Sequence, residues 1–375
     1  MSRRIRLLVS ARDVAAAPHL TQVVRAALRD ERFHVHVVAQ EPALGHFAAD
    51  GLDAHPVKAC AAKSLDSAEA VELLGIAKRL LDETRPDVLL AGLSTPFDAG
   101  IDEALLAEAQ VPTLLFQDFW GEQNLILGHG ADRVLSIDTE AARRNMIRFG
   151  TESIVVGSPR HAAYADIDLT GVRKRLREQA GTGVRPVLGF FGQALHRLEG
   201  YGRTVRGFID AVAAVRPQPF VFVRPHPRET AEQRARTAAM FGGLPFPTRV
   251  EDSGPVETML VACDVVCSLF STCTYDTAYL NRFSAHPVAV PVSMLFDEEI
   301  ATYMRQHVNF ETFPYHTAGI VRAVYEEAKL APVLQAATEE LTRRQVWKAA
   351  NDFLPDPKDA PRRVLDRVAE AVAAP

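Results

Sequence analysis

Short apolar runs alternate with longer stretches of helical spacing along most of this chain. Ile5–Ala11 reads as a buried strand. Pro18 then opens a helix whose apolar positions Leu20, Val23, Val24, Ala27 and Leu28 lie on one face. Further strands are expected at 35–39, 53–57, 87–93, 112–117, 133–137 and 154–156. Helices are expected between them at 67–84, 101–109 and 139–149. Strand–helix alternation at this spacing predicts right-handed crossovers and a parallel sheet covered on both faces.

The alternation breaks near Gly157-Ser158-Pro159 and restarts after a helix at 172–179. Strands are then expected at 187–191, 220–224, 264–269 and 288–292, and helices at 204–215, 229–240, 255–262 and 272–280. Pro355, Pro357 and Pro361 interrupt a helical tail. The expected class is therefore α/β, with two Rossmann-like domains at 1–160 and 161–355. A C-terminal helix at 356–375 is expected to pack back on the first. Open parallel sheets bind ligands beyond the carboxyl ends of their strands, and two such edges predict a deep interdomain cleft. The first strand leads into Ser10-Ala11-Arg12-Asp13, without the glycine fingerprint of a dinucleotide site.

Composition narrows the class. With 47% hydrophobic and 24% charged residues over 375 positions, the chain has the apolar surface to fold, which excludes a disordered or fibrous protein. The net charge of −5 argues against a general nucleic-acid binder. Cys60, Cys263, Cys267 and Cys273 show no C-x-x-C spacing, so they read as reduced, buried thiols rather than a metal or redox site. No stretch reaches 18 apolar residues, and the N-terminal apolar run is too short for a signal peptide. A cytoplasmic location follows as the expectation, with peripheral attachment to the inner face of a membrane compatible with it.

Two segments carry chemistry. In the first, the strand 220–224 ends in Arg224-Pro225-His226-Pro227-Arg228. The prolines fix the turn, so Arg224, His226 and Arg228 stand at a carboxyl edge. There His226 can donate to a phosphate or act as an acid. In the second, the strand 264–269 ends in Phe270-Ser271-Thr272 at a helix start. Hydroxyls and open N–H groups there make an anion site, with Asp276 one turn later on the face of Thr272 as a ribose acceptor. Each has a bland alternative, a surface turn and an ordinary helix cap.

These features together resemble the GT-B glycosyltransferase superfamily, which also holds UDP-N-acetylglucosamine 2-epimerases and bacterial sialyl- and glycerophosphate transferases. The stretch 136–161, ending in Gly157-Ser158-Pro159, looks like their interdomain passage. The resemblance implies an acceptor-side first domain and a nucleotide-donor second domain. It implies that Arg224, His226 and Pro227, with Arg228 beside them, contact the nucleotide phosphates. Ser271 and Thr272 match the hydroxyl pair on the donor phosphate, Asp276 the ribose acid, and Gly189 and Gly192 the close-approach loop. On the acceptor side it points to Asp118 as catalytic base with Glu122 second, in Gln117-Asp118-Phe119-Trp120-Gly121-Glu122. Trp120 either stacks on a sugar or belongs to the core. His19 and His129 are further cleft candidates.

The implied activity is inverting transfer of a sugar from a UDP- or CMP-sugar to a saccharide or glycoconjugate acceptor, in cell-surface polysaccharide synthesis. No Asp-x-Asp clamp is found, so no metal or other cofactor is expected and the nucleotide-sugar enters as substrate. Alternatives are a UDP-N-acetylglucosamine 2-epimerase and a non-catalytic nucleotide-sugar-binding protein. The donor base and the oligomeric state stay open.

Overall fold

A computed structural model describes residues 3–308 and 310–373. The chain divides into two compact units, Met1–Ala165 with Pro355–Pro375, and Asp166–Leu354.

The first unit holds a seven-stranded parallel sheet of β1 (Ile5–Ala11), β2 (Phe33–Ala39), β3 (His55–Pro56), β4 (Val88–Gly92), β5 (Thr113–Gln117), β6 (Arg133–Ser136) and β7 (Ser153–Val155). Its order is β3-β2-β1-β4-β5-β6-β7. The central strands β4 and β5 are buried along their whole length, which is why they read as unbroken apolar runs. Helices Ala17–Leu28, Ala68–Thr84 and Ile101–Glu108 bury their apolar stripes on the sheet. Gly92 lets the first of these approach closely, since a methyl there would stand 2.9 Å from Ala16 Cβ. The helix Ala360–Ala373 buries Val364, Leu365 and Val368 in this same unit.

The second unit holds six parallel strands, β8 (Val187–Phe191), β9 (Phe220–Arg224), β10 (Thr248–Val250), β11 (Val265–Ser268), β12 (Val290–Met294) and β13 (Arg322–Val324). Their order is β10-β9-β8-β11-β12-β13. In each sheet the chain moves outward on one side and then crosses to the other. The order therefore reverses between β1 and β4, and again between β8 and β11. At such points the loops splay apart and leave a crevice at the carboxyl edge.

Several boundaries differ from the sequence reading. The strand expected at 53–57 shrinks to two residues, because only Val38 and Ala39 pair with it. The short edge strands β10 and β13 are not expected, since Thr248-Arg249-Val250 and Arg322-Ala323-Val324 form no apolar run. The helix expected from 229 begins at Ala231 with Thr230 as its cap, which frees Glu229 for another role.

Candidate functional site

In the second unit, polar contacts stitch three loops together at the carboxyl edge. The Gly192 amide donates to Arg224 O at 2.9 Å, joining the loops after β8 and β9. Gln193 Oε1 accepts the Phe270 amide at 2.9 Å, joining the loops after β8 and β11. Ser268 Oγ donates to Phe191 O at 2.6 Å across the crossover. A methyl on Gly192 would stand 3.0 Å from Tyr201 Oη and 3.2 Å from Glu229 Oε1, so the loop lies tight against both. Gly189 differs: it lies inside β8, and its missing side chain makes room for Cys263 Sγ, a packing role away from the edge.

His226 sits half-buried beside an exposed Pro227 and Arg228. Its Nδ1 accepts the Arg228 amide at 3.1 Å, so the neutral ring carries its proton on Nε2. Burial lowers the imidazole pKa, Arg228 lowers it further, and Glu229 opposes them. The Arg224 guanidinium donates to Ser253 O and Gly254 O, at 3.0 and 2.6 Å. It thus ties the loop after β10 to this edge. Ser271 caps the helix Thr272–Phe283, its Oγ accepting the Cys273 amide at 3.2 Å, and Thr272 is exposed in the first turn. Asp276 is 2% exposed, inside the helix packing, while Thr272 one turn earlier faces solvent.

Sequence reasoning passed over three residues of this edge. Gln193 ends the Gly-Phe-Phe-Gly-Gln loop and Glu229 follows the His-Pro-Arg turn, but the sequence assigns no role to either or to His196, yet each makes a contact between loops. An acid three residues after a turn histidine was the available signal, because that spacing lets its carboxylate reach back to the histidine amide.

In the first unit, Asp118 follows β5 and is partly buried. Desolvation raises its pKa, and Asp13 after β1 adds to the rise. Its own main-chain N–H and Arg160 oppose them, and the carboxyl is pushed up to about 7. Among the described residues Asp118 forms no ion pair. Glu122 is ion-paired with Arg148 on the helix Thr139–Phe149. Trp120 is 5% exposed and donates its indole N–H to Asp138, which makes it a core residue. Gln117 Nε2 donates to Glu122 O at 2.6 Å, and Asn124 Nδ2 donates to Asp98 O at 2.8 Å. The loop 118–124 is therefore pinned along its length.

Arg12 stands next to this loop at the β1/β4 crossover. It pairs with Asp98, its amide donates to Asp102 Oδ2 at 2.8 Å, and Gly100 leaves room for its side chain. Burial and Glu103 raise the pKa of Asp102. His19 is buried against Phe116 with ring centroids 5.0 Å apart, and burial drives its pKa well down. Ser158 Oγ lies 2.6 Å from His161 Nδ1 in the same region. His129 lies elsewhere. It lines a groove of about 620 Å³ with Thr113 and Arg133, at the amino ends of β5 and β6, because its loop enters β6 from below. That is the edge opposite Asp118.

No protein-family model matches the chain, and no curated protein matches it. Solved structures do. MnaA of S. aureus, solved with UDP, matches with a TM-score of 0.69 at 12% identity, over 98% of this chain and 97% of that one. The chain has the GT-B fold. A UDP-GlcNAc 2-epimerase from Neisseria meningitidis, bound to UDP-GlcNAc, matches this GT-B chain with a TM-score of 0.62 at 12% identity, covering 98% and 100% of the two chains. A glycosyltransferase from Rickettsia africae matches with a TM-score of 0.65 at 7% identity, over all of both chains. Both epimerases and glycosyltransferases thus share this GT-B architecture. Among the described residues, no helix is long and apolar enough to cross a membrane, and no group of three or more His, Cys, Asp or Glu is placed to hold a metal ion.

Proposed function

We propose that this GT-B chain is a glycosyltransferase that moves a sugar from a nucleotide-activated donor to a hydroxyl acceptor with inversion. The observation that carries the reading is Asp118. A carboxylate at the end of a central strand, with a pKa of about 7, suits proton removal from a hydroxyl at neutral pH. Glu122 is the weaker candidate because Arg148 already holds its charge. In this reading the donor phosphates meet Gly192, His226, Pro227 and Arg228 together with the helix start at Ser271 and Thr272. Arg224 shapes that edge through the 253–254 carbonyls. Charge on the leaving phosphate is offset by these donors, without a metal. Asp276 contributes to the donor ribose only if its helix turn opens, so its part is the smallest.

A second reading shares the same fold: several UDP-GlcNAc 2-epimerases match along nearly the whole chain. One incubation separates the two. The chain is given UDP-, CMP- and CDP-linked sugars without acceptor, and nucleotide release and sugar stereochemistry are followed. Conversion to the C2 epimer sinks the transferase reading. Failure of every nucleotide to shift the melting temperature sinks both and leaves a binding role for another ligand.

A further inference from the structure

One buried carboxylate touches both histidine-bearing loops at the carboxyl edge of the second unit. The Glu229 side chain is fully shielded from solvent and that of His196 is 4% exposed. Glu229 Oε1 accepts the main-chain N–H of His226 at 3.0 Å. Its Oε2 accepts the Thr237 hydroxyl at 3.1 Å and lies 3.4 Å from His196 Nε2. Thr237 Oγ1 is itself 3.3 Å from His196 Nε2. The single hydroxyl hydrogen of Thr237 goes to Glu229, so its oxygen faces His196 as an acceptor. His196 therefore carries its proton on Nε2, aimed at Thr237 and Glu229, and keeps a lone pair on Nδ1. Among the described residues that Nδ1 makes no hydrogen bond.

His226 is turned the other way. Its Nδ1 is taken by the Arg228 amide, which leaves an N–H at Nε2 as the open group. Tyr201 adds a further polar atom to the same place. Its ring lies 4.8 Å from that of His196, and it is 1% exposed.

We propose that Glu229 is the positioning residue of this edge. It fixes which nitrogen of His196 carries the proton and holds the His226 turn beside the Gly192 loop. The edge then offers one N–H donor, from His226, and one hydrogen-bond-accepting nitrogen, from His196. The importance of this pair for turnover rests on the donor-edge reading given above.

Nitrogen shifts of the full-length chain labelled with ¹⁵N-histidine test the proposal, since long-range proton–nitrogen correlations read the tautomer of each ring. Both His196 and His226 are expected as Nε2–H rings in the wild type. Glu229→Gln is expected to shift His196 toward the Nδ1–H form, because the new amide can donate to Nε2, and to speed amide exchange at His226. Thr237→Val keeps the carboxylate and is expected to move His196 less. Unchanged His196 nitrogen shifts in both variants overturn the proposal. UDP and CMP are then titrated into the same samples, where Glu229→Gln is expected to lose about tenfold in affinity, roughly 1.4 kcal/mol. Tautomer changes in a wild type that ignores both nucleotides support the positioning role and sink the donor-edge reading. Equal nucleotide affinity in wild type and Glu229→Gln overturns the link between Glu229 and the donor.

Discussion

Trp120 donates its indole N–H to Oδ2 of Asp138 at 2.9 Å, and the other oxygen of that carboxylate caps a helix by accepting the Ala141 amide at 2.8 Å. One buried acid thus holds both the loop that carries Asp118 and the helix Thr139–Phe149. Trp120→Phe keeps the ring and loses the bond to the charge. It should cost about 1–3 kcal/mol in urea unfolding. UDP affinity should be unchanged, because the loop belongs to the first unit. Wild-type stability in this variant would show that the bond carries no weight.

Asp118 sets a pH signature. Its pKa rises from 3.8 to about 7 on folding. Between those values the folded chain holds a proton that the unfolded chain has released, so stability falls as pH rises through the window. The full cost is present above about 7. Asp118→Asn removes it, so the variant should gain roughly 1–4 kcal/mol over the wild type at pH 8 and nothing at pH 3. Turnover of the wild type should climb with pH to a plateau above about 7, and Asp118→Asn should lose most of it while still binding UDP. Parallel stability curves for the two proteins from pH 3 to 8 would contradict the raised pKa.

Gly192 tests the proposed donor edge. A methyl there would press on Tyr201 Oη and Glu229 Oε1 at 3.0 and 3.2 Å. Gly192→Ala should push the loop outward and weaken UDP binding about tenfold, while the melting temperature moves only a few degrees. Calorimetry with UDP decides the matter; undiminished affinity would place the nucleotide away from this loop.

Asp264 is the structural counterpart. It sits just before β11 among Arg173, Arg177 and Arg343, and its Oδ2 also accepts the Val187 amide at 2.8 Å. Desolvation lowers the Arg173 pKa to about 10, against the pull of Asp264. Asp264→Ala would strand these guanidinium groups and should cost about 3–5 kcal/mol. Chemical denaturation of the variant checks this, and a loss below 1 kcal/mol would mean that carbonyl acceptors alone hold the arginines.

The sequence pattern made the sheet centres legible. Strands β1, β4, β5, β8, β9 and β11 are buried on both faces and so read as apolar runs. Edge strands β10 and β13 are three residues long and are set by pairing with a neighbour, which local spacing does not record. The Arg-Pro-His-Pro-Arg turn was visible because proline fixes backbone geometry locally. Glu229 and His196 were not, since their partnership joins loops 33 residues apart in sequence and exists only once β8 and β9 pair. Asp118 was visible as an acid at a strand end. Its raised pKa depends on burial and on Asp13, more than 100 residues earlier, and so appears only in the fold.

The helix Ala360–Ala373 belongs to the unit formed by the first 165 residues, whereas Asp166–Leu354 is one continuous stretch. On the ribosome the second unit therefore has all its residues before the first does. The β1–β7 sheet waits for Val364, Leu365 and Val368 to emerge and cover its helices. During synthesis the earliest-made sheet is the last to be sealed, and a chaperone that holds partly covered apolar faces would find its target there rather than at the carboxyl edge of the second unit.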